Sequence, residues 1–375
     1  MRIVEIEPGS AGVQKALTAI HDLFESEQSV ALIPAGNLAA RAAVNIDLPA
    51  TNDEPFLILA TSGSLGEPKA VEISLTALAN SAEAAAIEFR GPATWLTALP
   101  VTSIGGLNTV VRSALSGTEP VIWDGVSGAA SFDAADFDRY LLGLRRGADK
   151  QNMFAAVSLV PTQVGRIAEH DLRALATIDF VLVGGAGLAP KLRERLLDAN
   201  VNLITTYGAT ETCGGVLWNQ TPLGDTEIQI SDSGEVLISG STLATRYRDG
   251  LTIAPLWHTG DLGEMTGTGL TISGRIDRVI KTSGHKVSLD QLTHLASSIT
   301  GVESAFAVGI ADADAGLVPV VGYTGSAQPI DVVAELNRMQ PTPRLRAHHF
   351  SQLPQLMNGK PDSAEITRIC ETSHS

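Results

Sequence analysis

Apolar positions recur along this chain with two periods, and the two alternate over its first two-thirds. In residues 11–26 (AGVQKALTAIHDLFES), Val13, Leu17, Ile20 and Leu23 fall three or four apart, which predicts a helix with one apolar face. FLILAT (56–61) is a short apolar run that reads as a buried strand. Residues 74–90 read as a helix that Ser74 can cap. WLTALP is a strand stopped by Pro100, PVIWD a strand, 132–144 a helix and FAAVSLV a strand. Pro161 then opens a helix through TQVGRIAEHDLRAL, at the position where a missing N–H costs nothing. IDFVLVGGAGL, PKLRERLLDAN and NLITTYGATET continue the strand–helix–strand rhythm. Such alternation predicts parallel sheets with crossover connections.

From about Asp225 the pattern shortens. EIQIS, GEVLISG and GLTISGRI alternate with period two between Gly and Asp turns, as in a small antiparallel, barrel-like part. Beyond residue 277, KVSLDQLTHLASSI reads as a helix, SAFAVGIA and VPVVGYT as strands, and IDVVAELNRM as a helix. That is enough for a further small α+β domain. The expected class is α/β, a large N-terminal domain followed by a small C-terminal one.

Composition narrows the field. A chain of 375 residues exceeds one ordinary domain, and a hydrophobic share of 44% can fill large cores. The formal net charge of −15 argues against a nucleic-acid surface, which needs clustered Lys and Arg. It leaves room for a nucleotide, which a few cations and backbone amides can hold. Two cysteines, Cys213 and Cys370, make neither a disulfide framework nor a zinc site. The start, MRIVEIEPGS, lacks a signal pattern, and no apolar run reaches membrane-spanning length. The expectation is a cytoplasmic protein without membrane insertion.

Candidate chemistry begins at TSGSLGEPKAV (61–71). Gly63 and Gly66 allow the backbone amides to turn inward, Thr61, Ser62 and Ser64 add hydroxyls, and Lys69 adds a point charge. Alone, the stretch reads equally as a phosphate-wrapping loop or as a solvated turn. It is not the nucleotide loop in which Lys directly follows the last Gly, since Glu67 and Pro68 intervene. VGGAGL (183–188), TTYGATET (205–212), HTGDLG (258–263), GRIDRVIKTSGHKVS (274–288) and LPQLMNGKPD (353–362) follow. Each, taken singly, has an ordinary reading as a turn, a core aromatic or a cap.

In this order the six stretches resemble the adenylate-forming superfamily of acyl-CoA synthetases, luciferases and peptide-synthetase adenylation domains, from about residue 56 to 362. The resemblance implies ATP, Mg2+ and coenzyme A as ligands, the last as a substrate. By it the loop around Gly63, Ser64, Gly66 and Lys69 holds the β- and γ-phosphates. Tyr207, followed by Gly208, stacks on adenine opposite the Gly184, Gly185 and Ala186 backbone. Thr210 bonds a phosphate, Glu211 holds Mg2+, Asp261 takes the ribose hydroxyls and Arg275 supports the ribose and phosphate end. Asp277 is the hinge, dividing residues 1–276, which bind ATP and acid, from a turning domain of residues 277–375. Lys360 bridges the substrate carboxylate and the nucleotide during adenylation. The loop with Gly284 and Lys286 replaces it for thioester formation.

The chain is short for that superfamily, and short members include the o-succinylbenzoate–CoA ligases of menaquinone biosynthesis. SLVPTQVGRI (158–167) is similar to their pattern. The substrate would then be an aryl dicarboxylic acid whose second carboxylate needs a cation. Thr162 and Arg166 share a helix face, so Arg166 is either that cation or a surface arginine with a packed stem. Another aryl or short-chain acid, and a nucleotide-binding regulator without catalysis, are the alternatives. Ser103 stands where many members have histidine beside the acyl region, SLDQL replaces a glutamate pair with Asp290 as the nearest acid, and Ala70 replaces a usual glycine. Cys213 reads as a packing residue. The partners expected are these small molecules, and a homo-oligomer is compatible with the sequence.

Overall fold

The computed structural model describes residues 1–26, 28–50, 54–62, 68–355 and 361–373. Compactness divides the chain into two units, one of residues 1–228 with 237–258 and one of residues 229–236 with 259–375.

In the first unit, one sheet takes its strands in the order Arg2–Ile6, Val30–Pro34, Phe56–Ser62, Pro68–Ser74 and Arg246–Tyr247. A second takes the order Thr221–Pro222, Gly214–Trp218, Leu203–Ala209, Phe180–Val183, Phe154–Leu159, Ala93–Thr97 and Val121–Ile122. Side-chain alternation explains why both sheets are covered on two faces. Leu57 and Leu59 enter the largest core, while Phe56 and Ile58 pack on the other side with Ala40 and Val44. Likewise Leu96 faces that core and Trp95 faces away. The predicted stripe of Val13, Leu17, Ile20 and Leu23 lies on the helix Ser10–Glu25 and is buried there. Arg112 is buried against the outer aromatic cluster, its guanidinium 5.0 Å and 5.9 Å from the Trp95 and Trp218 ring centroids. Burial pushes it down to about 10, so it remains a cation at neutral pH and the ring faces stabilise it.

The five strands from Leu203–Ala209 to Val121–Ile122 pair in parallel, as the alternation predicted. The first sheet differs. Arg2–Ile6, Val30–Pro34 and Phe56–Ser62 are parallel, but Phe56–Ser62 pairs antiparallel with Pro68–Ser74. The reason is length: so few residues separate the two strands that only a hairpin can connect them. The candidate phosphate loop therefore joins two antiparallel strands, with Thr61 opposite Lys69.

Between residues 227 and 275 the short strands form a four-stranded sheet in the order Glu227–Ile230, Glu235–Ser239, Leu256–Thr266 and Gly269–Arg275. In the second unit, His285–Ser288, Val279–Thr282, Gly316–Gly325 and Val302–Asp312 follow in that order, with Arg346–His349 on Gly316–Gly325. The expected helix from Lys286 begins later. His285–Ser288 is a strand and the helix is Leu289–Ser297, because the Ser288 side chain caps it by accepting from the Gln291 backbone N–H at 3.2 Å. The helix opened by Pro161 stops at His170, short of the expected Leu175.

Candidate active site

Parallel strands bring their C-terminal ends to one edge, and most of the candidate residues of the first unit follow those ends. Ser103 lies beyond Ala93–Thr97, at the start of the helix Ile104–Leu115. Its hydroxyl donates to the Pro100 carbonyl at 2.7 Å. Beyond Phe154–Leu159 comes the helix Pro161–His170. Its Gln163 side chain accepts from the Val160 N–H at 3.1 Å and donates to the Ala98 carbonyl at 3.2 Å, tying the helix start to the exit of the neighbouring strand. Thr162 is half-buried in the first turn, whereas Arg166 is exposed and has no ion-pair partner among the described residues.

Gly184, Gly185 and Ala186 follow Phe180–Val183. A side chain at Gly184 would collide with the Thr206 hydroxyl, so only glycine lets this loop lie against the neighbouring strand. Tyr207 is half-buried near the end of that strand, Leu203–Ala209. Gly208 is held as closely, since a Cβ there would strike the Gly214 carbonyl.

Thr210 and Glu211 open a short 3-10 turn, Thr210–Thr212, that closes with Cys213 in the left-handed region at φ 54°. The turn is fixed from several sides. The Thr212 hydroxyl accepts from the Ala209 N–H at 2.9 Å and donates to the Gly214 carbonyl at 2.7 Å. The Cys213 carbonyl accepts from Asn108 at 2.8 Å and Ser81 at 3.1 Å. Cys213 itself is buried, and burial drives its thiol far above the usual range. It is a packing residue, as expected.

Glu211 accepts a hydrogen bond through Oε1 from the Tyr247 hydroxyl at 2.8 Å. The Tyr247 oxygen in turn accepts from the Trp257 indole N–H at 3.3 Å. Burial, with the Glu211 charge next, raises the Tyr247 phenol well above its ordinary range, so it stays protonated. Lys69 is exposed, with Nζ 5.3 Å from the Tyr247 ring centroid, and the Thr61 hydroxyl donates to the Lys69 carbonyl at 3.2 Å. Lys69 and Glu211 thus converge on Tyr247, a residue the sequence reading did not single out, and Thr61 is bonded to the Lys69 backbone. Ser62 ends its strand, while Gly63, Ser64 and Gly66 lie outside the described residues.

In the second unit, antiparallel register sets Asp261 opposite Arg275. Arg275 donates to Asp261 Oδ1 at 3.0 Å and to Asp277 Oδ1 at 3.0 Å, and its backbone N–H reaches Asp290 at 2.8 Å. Partial burial works to lower the Arg275 guanidinium, but the Asp277 hydrogen bond and the surrounding carboxylates outweigh it and raise it. Three of the predicted residues therefore form one charged network. Asp277 lies in the 3-10 turn Ile276–Arg278, on the C-terminal side of the compactness division at Thr259. Gly284 and Ser283, with φ of 83° and 47°, make the two-residue turn that joins Val279–Thr282 to His285–Ser288, and Lys286 is exposed on the latter. Lys360 lies outside the described residues.

No three His, Cys, Asp or Glu side chains cluster as a metal cage among the described residues. Mg2+ fits the site in a different manner. It commonly takes one or two carboxylates and completes its shell with water and substrate phosphate oxygens. Glu211, next to Thr210 in the chain and bonded to Tyr247, over whose ring Lys69 lies, offers one such carboxylate.

A family model described as AMP-binding enzyme matches residues 11–248. The chain is 29% identical over 386 residues to the probable 2-succinylbenzoate–CoA ligase of Mycobacterium tuberculosis, covering 98% of both chains. It is 26% identical over 292 residues to the 2-succinylbenzoate–CoA ligase of Staphylococcus epidermidis, covering 71% of this chain and 59% of that one. Among solved structures, it resembles the o-succinylbenzoate CoA synthetase (MenE) of Bacillus subtilis in complex with the acyl-adenylate intermediate OSB-AMP. The TM-score is 0.76 at 18% identity, over 97% of this chain and 87% of that one. ATP-bound MatB from Rhodopseudomonas palustris matches with a TM-score of 0.80 at 15% identity, over 100% and 89% of the two chains. The α/β fold is the one these structures share.

Proposed function

The chain belongs to the AMP-binding enzyme family, and from that premise we propose that it ligates o-succinylbenzoate to coenzyme A through an acyl-adenylate. The observation that carries the choice of acid is the end-to-end likeness to the mycobacterial ligase. In the first step a carboxylate oxygen of the acid bonds to the α-phosphorus of ATP. The bond to the bridging oxygen breaks, and pyrophosphate leaves with the electron pair. In the second, the coenzyme A sulfur, as thiolate, bonds to the acyl carbon and AMP leaves.

The residues divide these tasks. Tyr207 offers adenine a flat face, with the Gly184–Ala186 backbone opposite and no side chain at the glycines to obstruct it. Asp261 accepts from both ribose hydroxyls, and Arg275, already bonded to it, supports the phosphate end. Lys69, the loop of residues 61–69 and Thr210 hold the triphosphate. Glu211 would hold Mg2+, which when bound neutralises phosphate charge. Lys360 neutralises charge between the carboxylate and the α-phosphate. For the second step residues 277–375 turn about Asp277 and bring Gly284 and Lys286 forward. Arg166 takes the ring carboxylate, with Ser103 beside the acyl group.

The reading is tested by following pyrophosphate release over a panel of acids with ATP and Mg2+. Release should be fastest with o-succinylbenzoate. Preferential turnover of another aryl or short-chain acid, with o-succinylbenzoate at background, overturns the assignment of the acid and leaves the reaction type standing.

A further inference from the structure

The strand Arg246–Tyr247 is only two residues long, yet it is pinned with unusual redundancy. Arg246 pairs with Glu72 and Tyr247 with Val71, antiparallel. Residues directly opposite share a face, and successive residues alternate. Arg246, Arg248 and Glu72 therefore fall on one face, where both arginines bond the Glu72 carboxylate. Tyr247 falls on the other, with Val71 and hence with Lys69 two residues away. Backbone bonds fix the segment as well. Thr245 N–H donates to the Glu72 carbonyl at 2.9 Å, Arg248 N–H to Ala70 at 2.8 Å and Ala244 N–H to the Glu211 carbonyl at 2.8 Å. The same five residues thus span the distance from the strand after the phosphate loop to the turn that carries Glu211.

The hydrogen-bond chain on this face has a forced direction. An indole N–H only donates, so the Tyr247 oxygen accepts from Trp257 and its own proton is committed to Glu211. One oxygen of the Glu211 side chain is then occupied by the Tyr247 hydroxyl.

We propose that Tyr247 is a positioning residue for the Glu211 carboxylate: its hydroxyl holds Oε1 and leaves the second oxygen to face a divalent cation arriving with the nucleotide. This rests on the reading of Glu211 as the Mg2+ ligand. The ring of Tyr247, under Lys69, links the same device to the cation that follows the phosphate loop. Outer partners that orient a metal's carboxylate commonly change metal affinity when removed.

The test is equilibrium binding of ATP, by calorimetry, to the full chain across a Mg2+ titration and again with a chelator. Tyr247→Phe keeps the ring and the buried volume and removes only the hydroxyl. It should raise the Mg2+ concentration for half-maximal enhancement of binding by about tenfold, while ATP affinity in chelator changes by less than about twofold within the scatter of distant effects. In a Glu211→Gln background, adding Tyr247→Phe should leave the Mg2+ dependence as it was. Equal losses with and without Mg2+ would make Tyr247 a structural residue and overturn the inference, as would a Mg2+ dependence identical to wild type. A wild-type protein whose ATP affinity ignores Mg2+ overturns the metal reading of Glu211 and this inference together.

Discussion

Asp261 and Arg275 face each other across a register that sequence spacing could not give, since the chain between them, fourteen positions from one to the other, turns back on itself. Their pairing makes a specific expectation. Asp261→Asn keeps the shape of the side chain but removes the charge that both Arg275 and the ribose hydroxyls use. A hydrogen bond to a charged group contributes about 1.5–3 kcal/mol, so KM for ATP should rise by roughly tenfold or more in steady-state assays. An unchanged KM would leave Asp261 a partner of Arg275 alone. Arg166 gives a different magnitude. A buried carboxylate left unpaired costs about 3–5 kcal/mol, but exposed ion pairs contribute only about 0–1 kcal/mol. Because Arg166 is exposed, Arg166→Ala should raise KM for o-succinylbenzoate by about fivefold, with KM for ATP and coenzyme A unmoved. An analogue lacking the ring carboxylate should bind wild type poorly and lose little more on mutation. If the analogue loses as much as the substrate, the second-carboxylate cation lies elsewhere. At this scale the motif residues were legible because their chemistry is distinctive. Tyr247 was not, because TRYRDG carries no motif and its partners Glu211 and Lys69 are distant in sequence.

Among the elements, the strongly periodic ones were read correctly from pattern alone, and Ser74 caps its helix by accepting from the Ala77 N–H at 3.1 Å as expected. What pattern could not settle was pairing direction, because alternation of strands and helices says nothing of a strand that returns through a short loop. The signal for the late helix start was present: Ser288 followed three residues later by Gln291 is a cap pattern, but the apolar spacing running on from Val287 masked it. The strand Arg246–Tyr247 owes its place to the buried carboxylate of Glu72 between two arginines, one of which, Arg248, also bonds the carbonyls of Val44, Asn45 and Leu48. Glu72→Ala would leave that buried guanidinium without its counter-charge, and loss of one partner from a buried pair costs about 3–5 kcal/mol. Urea denaturation should show that loss. A change under about 1 kcal/mol would mean that the three carbonyls alone satisfy Arg248.

For the whole molecule, the two compact units divide at Thr259, whereas the proposed turning point is Asp277. The two-step account makes its own demand on residues 277–375. Lys360→Ala should abolish adenylate formation yet leave thioester formation from supplied acyl-adenylate and coenzyme A near wild type, because the lysine serves only the first orientation. Equal loss of both half-reactions would remove either the turning or the lysine from the account. The central claim, carboxylate attack on ATP followed by thiol capture, is tested most directly by tracing an atom. o-Succinylbenzoate carrying heavy oxygen in its succinyl carboxylate is supplied with ATP, Mg2+ and coenzyme A, and the products are weighed by mass spectrometry. The account predicts o-succinylbenzoyl-CoA together with AMP that has gained one heavy oxygen, and pyrophosphate that has gained none. ADP in place of AMP, or thioester accompanied by unlabelled AMP, would contradict it.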